Sequence, residues 1–171
     1  MTTLHRDPYE NIYVQVVGRK RFVLVPPVGV VGVEERTVGG GQWVQDGDGA
    51  GEGGWRVVRD EEAGEVPVAA WDPDEDEDRD GDGEVRGRKM VVEVGEGDVL
   101  YLPALWYHKV SQTAGEEGYC LSVNYWYDME YSGGFYSMVG FVRDVGLVWR
   151  REEEERKKRQ GKEITEQRPS S

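Results

Sequence analysis

The sequence predicts a mainly β domain, an antiparallel sandwich or barrel, followed by a C-terminal helix. Three observations predict it. Apolar residues come in short runs rich in Val, Tyr and Leu, and each run is cut off by Gly, Pro or Asp. Several of these runs alternate apolar with polar, the period of a strand with one face in a core. Only from Gly140 does the period lengthen to that of a helix, in "FVRDVGLVWRREEEERKKR". With 171 residues the chain is long enough for one domain with a sizeable core.

Taken in order, "YENIYVQVV" at 9–17 is a strand of β-branched and aromatic residues. Gly18-Arg19 then turns the chain into "KRFVLVPPV", a return strand stopped by Pro26-Pro27, so the two are expected to form a hairpin. From Gly29 to Gly54 the pattern weakens, and "GGGQWVQDGDGAGEGG" reads as an exposed loop. "WRVVRDEEAGEVPVAAWDP" reads as one strand and an irregular segment. "DPDEDEDRDGDGEVRGR" is a low-complexity acidic run, a solvated loop. Its Asp spacing lacks the ligand order and closing Glu of an EF-hand, so a calcium loop is the weaker expectation. "KMVVEV" at 89–94, a Gly-Glu-Gly-Asp turn, "VLYLPALWYHKV" and "EGYCLSVNYWYDM" supply the remaining strands. The expected layout is one β domain over 1–139, with acidic Gly-rich loops at 38–54 and 72–88. A helix over 140–158 and a polar tail over 159–171 follow it.

Hydrophobic residues make up 37% of the chain and charged residues 32%, which mixes an ordinary core with acidic filler. Thirty-four acidic residues face 21 basic ones, for a net charge of −13. Binding to nucleic acid or to an anionic membrane needs the opposite balance, so neither is an expected partner. The one cysteine, Cys120, cannot close a disulfide within the chain. That points to a reducing compartment, cytoplasmic or nuclear. Cys120 lies in "YCLSVNYW" and reads as a small buried residue, not a nucleophile. No apolar run is long enough to cross a membrane, and the first residues do not read as a signal peptide.

The chemistry starts at His5-Arg6-Asp7. Residues two apart on a strand point the same way, so His5 and Asp7 can converge on one ion. One imidazole and one carboxylate are two thirds of a two-histidine, one-carboxylate metal site. Alone, His-x-Asp is a common and weak pattern. The only other histidine, His108, arrives beyond an apolar strand in "GDVLYLPALWYHKV" and can complete the set. Read without His5 and Asp7, it would be a core histidine bonded to a carbonyl. Lys20 sits on the return strand with Phe22 and Leu24 on its face, and a lysine among apolar groups needs an anion. A dicarboxylate cosubstrate would supply one; a plain exposed lysine beside a turn is the alternative. Asn11 shares the parity of His5 and Asp7, and Thr2 upstream offers a hydroxyl.

The stretches "TTLHRDPYENIYVQVVGRKRFVLVPP", "EVPVAAWDPD", "GDVLYLPALWYHKV" and "VNYWYDMEY" together resemble the C-terminal half of the JmjC-type, cupin-fold 2-oxoglutarate oxygenases. Within that family they are most similar to the Jumonji domain-containing protein 7 group of lysyl hydroxylases. The resemblance implies a double-stranded β-helix, or jelly-roll, incomplete at its N-terminus, because full members carry further strands before the His-x-Asp motif. Activity of this chain alone is therefore left open. It implies that His5, Asp7 and His108 bind Fe(II), and that Lys20 and Thr2 hold the distal carboxylate of 2-oxoglutarate. Asn11 and Asn124 would lie near cosubstrate and metal, and Trp126 would form a pocket wall. Tyr127, Asp128 and Glu130 would face the substrate, with a purely structural role as the alternative. The implied reaction uses O2 to hydroxylate a lysyl side chain of a protein partner, while 2-oxoglutarate becomes succinate and carbon dioxide. Two other classes stay in view. One is a non-catalytic cupin-like interaction module. The other is a metal-dependent peptidase, for which no H-E-x-x-H is present. The apolar half of the helix, Phe141, Val142, Val145, Leu147, Val148 and Trp149, would either pair with a second copy in a homodimer or pack on its own domain.

Overall fold

In the computed structural model two three-stranded antiparallel sheets face each other. The structure describes residues 1–46, 54–74 and 89–166, the last few of these as backbone only. The segments 47–53 and 75–88, and with them most of the run weighed as a calcium loop, lie outside the described residues.

Strands β1 (Tyr9–Val17), β8 (Val99–Leu102) and β10 (Leu121–Asp128) form one sheet in the order β10-β1-β8. Strands β2 (Arg19–Val25), β7 (Met90–Val94) and β9 (Tyr107–Thr113) form the other, in the order β7-β2-β9. β1 and β2 are consecutive in sequence yet pair in different sheets, so the expected hairpin is instead a corner. Gly18 makes the corner: its φ is 78°, and a Cβ there would lie 2.6 Å from the Thr113 carbonyl oxygen. The same switch of sheet recurs from β7 to β8 and from β8 to β9. A chain that changes sheet at each corner is wound as a jelly-roll.

The inner faces meet in a cluster of Tyr13, Phe22, Leu24, Val94, Leu102 and Val110. Tyr13 and Phe22 cross it edge to face at 5.0 Å. β2 is buried on both faces, because a second cluster of Leu4, Val25, Val30, Val33 and Tyr107 lies behind its sheet. That explains why "FVLV" is apolar without a break.

The segment expected as a loop holds β3 (Glu35–Gly39) and β4 (Gly41–Gln45); β5 (Trp55–Arg59) is the strand expected after it, and β6 (Glu65–Ala69) lies in the part expected to be irregular. β3 pairs with β6, and β4 with β5. Their backbone groups are satisfied across the pair while most side chains stay exposed. A ribbon wet on both faces carries no apolar alternation, which is why most of its sequence does not read as strand.

The helix α1 (Gly134–Glu166) begins earlier and runs further than 140–158. Its inward side carries Val139, Arg143, Gly146, Leu147 and Arg150. Leu147 joins the second cluster, and a Cβ on Gly146 would stand 2.8 Å from a Val31 methyl, so helix and loop touch closely there. No described helix is long and apolar enough to cross a membrane. Cys120 is half-buried rather than a core residue, with its Sγ 3.3 Å from the Gln15 amide.

Candidate metal centre

Residues 1–8 precede β1 and run along β9. Leu4 is buried and anchors them. Thr2 N–H donates to the Val110 carbonyl at 2.9 Å, and His5 and His108 exchange backbone bonds of 3.1 and 2.7 Å. Leu105 N–H donates to the Asp7 carbonyl at 2.9 Å. His5 and Asp7 therefore come together on an isolated bridge to β9, not within a regular strand as the parity reading assumed. Pro103 and Leu105, whose φ is 66°, bend the chain between β8 and β9. Glu10 holds that bend by accepting from Tyr101 Oη at 2.7 Å and Ala104 N–H at 3.1 Å.

One ligand atom from each of His5, Asp7 and His108 lies within 4.8 Å of the other two. Asp7 Oδ2 is 3.9 Å from His5 Nε2 and 3.7 Å from His108 Nε2. The other ring nitrogens are already engaged: His5 Nδ1 is 2.8 Å from the Thr3 carbonyl and His108 Nδ1 is 3.1 Å from the Trp106 carbonyl. A carbonyl only accepts, so the proton belongs on Nδ1 and leaves each Nε2 lone pair for an ion. Burial pushes the His108 imidazole below its ordinary value; the Trp106 carbonyl opposes this, His5 adds to it and Asp7 opposes it. A neutral imidazole is the form that binds metal. Two imidazoles and one carboxylate, from two chain segments and with coordination positions to spare, fit a divalent transition metal such as Fe(II).

The neighbouring residues also fit a further ligand. Asn11 is buried and its Oδ1 has no hydrogen-bond partner among the described residues. Lys20 forms no ion pair with a described carboxylate; its Nζ rests 5.2 Å above the Tyr13 ring. Burial raises the Tyr13 phenol above its usual range, while the amides of Asn11 and Asn124 beside it pull the other way and Asp7 adds to the rise. Tyr13 thus joins Asn11, Lys20 and Asn124, and sequence reading passed over it. Its signal was present, since Tyr13 continues the parity of Asn11.

Asn124 and Trp126 lie opposite Tyr13 and Asn11 in the β1–β10 register, so all four share one face. Trp126 is 58% exposed and stacks on Tyr9 at 5.6 Å, forming a rim. Asp128, opposite Tyr9, belongs to the same face. Tyr127, opposite Glu10, points to the other face. Glu130 is exposed, and its Oε1 accepts from Ser132 at 3.4 Å. The Thr2 hydroxyl accepts from Val110 N–H at 3.0 Å. The structure therefore gathers the three metal-type residues with Asn11, Lys20, Asn124 and Trp126 around the inner face. It does not gather Tyr127, Asp128 and Glu130 into one group.

Residues 1–133 match the family model of the cupin-like domain. The chain belongs to the cupin-like domain family. Three curated relatives align with 77% of it. Lysine-specific demethylase JMJ32 of Arabidopsis thaliana is 33% identical over 140 residues. The bifunctional peptidase and (3S)-lysyl hydroxylase JMJD7 of Homo sapiens is 36% identical over 133 residues. JmjC domain-containing protein E of Dictyostelium discoideum is 29% identical over 141 residues. The aligned part is 39% of the first two and 40% of the third, so the chain spans about two fifths of the length of these relatives. The cupin-like domain accounts for the mainly β architecture and its antiparallel sheets.

Proposed function

We propose that this cupin-like domain is the metal-bearing part of an Fe(II)- and 2-oxoglutarate-dependent protein hydroxylase that acts on a lysyl side chain. The observation that carries the proposal is the cluster of His5, Asp7 and His108, with both Nε2 atoms left free. Bound Fe(II), with 2-oxoglutarate and O2, would supply the oxidising power to hydroxylate a substrate C–H while the cosubstrate leaves as succinate and carbon dioxide. The chain's own residues do the holding. His5, Asp7 and His108 bind the ion. Lys20 pairs with the distal carboxylate, and Thr2 assists if its hydroxyl leaves Val110. Asn11 and Asn124 offer amides toward the cosubstrate. Trp126 and Tyr9 stack at the rim and would form a wall of the pocket. Asp128 on the same rim suits a cationic substrate side chain, with Glu130 and Tyr127 contributing from its border. The partner is a protein with a target lysine in the cytoplasm or nucleus; nucleic acid and membrane have no part in this reading.

Two relatives carry names for lysine-directed chemistry, which favours this substrate class. The peptidase activity in the human relative's name gets no support from an H-E-x-x-H motif here. The test is succinate formation from 2-oxoglutarate with Fe(II), ascorbate and a lysine-bearing protein substrate. Succinate formation by this chain or by an upstream-extended version, lost with His108→Ala, is the expected result. Stoichiometric iron binding with no succinate would instead favour a non-catalytic interaction module.

A further inference from the structure

Behind the metal centre, on the far face of β9, a carboxylate is buried among cations. The Glu35 side chain is only 3% exposed, at the start of β3. An isolated carboxylate there would be costly, so its partners decide its role. Its Oε1 accepts from Arg143 of α1, through Nε at 2.8 Å and through a terminal guanidinium nitrogen as well. Its Oε2 accepts from Tyr107 Oη at 2.9 Å and lies 3.5 Å from the Arg6 guanidinium. Its backbone carbonyl accepts from Arg150 of α1 at 2.7 Å. Arg6 in turn lies over the Tyr107 ring, 5.4 Å from its centroid.

Two of these partners are sequence neighbours of the metal-type residues. Arg6 lies between His5 and Asp7, and Tyr107 precedes His108. Side chains of adjacent residues leave an extended backbone on opposite sides. The side chains that face forward as ligands are therefore held from the back through the residues beside them. The His5–His108 bridge is isolated, and the Thr2–Val110 and Leu105–Asp7 backbone bonds flank it without forming a regular ladder. Those bonds set the backbone register, and Glu35 adds a grip on both segments from behind the ligands.

We propose that Glu35 is a positioning residue for the metal centre, setting the spacing of His5 and Asp7 against His108 through Arg6 and Tyr107, with Arg143 tying that spacing to helix α1. The inference rests on the metal reading of His5, Asp7 and His108. It extends that reading to a residue more than ten positions from any ligand and on the other face of the sheet.

The test uses Co(II) binding to the whole chain, followed by visible absorption, which reports both affinity and ligand geometry. Glu35→Gln removes the charge at nearly constant shape, and Arg6→Met removes the partner between the ligands. Each is expected to raise the Co(II) Kd by about tenfold, the low end of what a direct hydrogen-bond partner of a metal ligand contributes, and to alter the spectrum. The double variant is expected to lose less than the two single losses combined, because both act through one contact. Val92→Ala cuts into the packing between the two sheets, in a cluster that contains neither Glu35 nor its partners. It is expected to lower Tm while leaving the Co(II) Kd within about twofold of the parent. Unchanged Kd and spectrum in folded Glu35→Gln and Arg6→Met would overturn the proposal. So would an equal rise in Val92→Ala, which would make the effect general loosening. If Glu35→Gln fails to fold, Arg6→Met against Val92→Ala decides alone. A parent chain that binds no Co(II) would instead remove the metal reading itself, and this proposal with it.

Discussion

Lys20 is set apart from the metal-type residues by what surrounds it. His5, Asp7 and His108 have one another, and the Nδ1 of each imidazole meets a carbonyl. Lys20 has an aromatic ring under its ammonium group and no described carboxylate. A cation–π contact offsets part of an ammonium's desolvation but leaves its three N–H donors wanting acceptors. An incoming dicarboxylate would supply them. Lys20→Met is therefore expected to raise the KM for 2-oxoglutarate at least tenfold, the loss of one charge-assisted bond. The Co(II) affinity should stay within about twofold of the parent, because Lys20 is no part of the donor set. Lys20→Arg, which keeps the charge in a different shape, should recover part of the loss. Equal KM values for Lys20→Met and the parent would assign Lys20 to the rim. At this scale much was legible in the sequence. With only two histidines in the chain, His-x-Asp and His108 offered one candidate donor set, and the resemblance implied its role; the strand parity used to join His5 to Asp7 is replaced in the structure by an isolated bridge. Tyr13 and Glu35 were not legible in the same way. A tyrosine in a strand and a glutamate after a Gly-rich turn are ordinary until the fold shows which is buried beside what.

β9 shows how one element serves two faces. His108 and Val110 point into the space between the sheets; Tyr107 and Lys109 point behind. Lys109 is buried, with its Nζ 2.5 Å from Asp72 Oδ1 and 2.8 Å from Asp74 Oδ2. Arg21 of β2 adds a bond of 3.0 Å to Asp74, so the 72–74 segment is strapped to the back of the sheet. Burial pushes Lys109 down, but the two carboxylates outweigh it and hold its pKa above the ordinary lysine range. The Lys109 hydrogen bond, with further help from a backbone N–H for Asp72 and from Arg21 for Asp74, holds both carboxyls below the usual range. For carboxyls with depressed folded pKa values, the stabilisation is complete above the unfolded value of about 4 and is lost as pH falls through the folded values. Tm is therefore expected to drop as pH falls below about 4. In Asp72→Asn/Asp74→Asn it should start lower at pH 7 and fall less steeply below pH 4. Parallel Tm–pH curves for the two proteins would show that this strap does not set the acid limit. The elements themselves were read unevenly. Runs with an apolar face, β1, β2, β7, β8 and β10, stood out, because burial leaves a period in the sequence. In the exposed ribbons only β5, with its β-branched "WRVVR", was legible; β3, β4 and β6 leave no such period. The β1–β2 corner was misread as a hairpin because Gly18-Arg19 is short enough for either; the sheet each strand joins depends on partners some 70 to 110 residues away.

For the whole molecule, the long helix poses the question of what it faces. Its inward side is spoken for: Val139, Gly146 and Leu147 pack, and Arg143 and Arg150 bind Glu35. On the outward side Met138, Phe141, Val145 and Val148 recur at steps of three, four and three, and all are exposed, Phe141 at 69%. That spacing is the seam of a two-helix coiled coil and serves no purpose against water. A seam on one helix is self-complementary, so two copies related by a two-fold axis can bury it against itself. The charged stretch beyond Arg150 keeps the rest of the helix wet and limits the seam to about three turns. We propose that the chain forms a homodimer through α1. Sedimentation should give twice the chain mass at micromolar concentration, and Phe141→Glu with Val145→Glu should return the monomer. Because those two side chains point away from the domain, the Tm of that monomer should fall only by the amount that dimerisation contributed. It should then no longer rise with protein concentration, whereas the parent's Tm should. A parent that sediments as a monomer at all concentrations would leave the stripe without a second copy to cover it. Coupling follows if the dimer forms. Arg143 and Arg150 join α1 to Glu35, and Glu35 touches the residues beside the metal ligands, so Co(II) should bind more tightly to the dimer than to the Phe141→Glu/Val145→Glu monomer. By reciprocity the metal should tighten the dimer by the same factor. Equal Co(II) affinity in the two forms would confine Glu35's influence to a single copy.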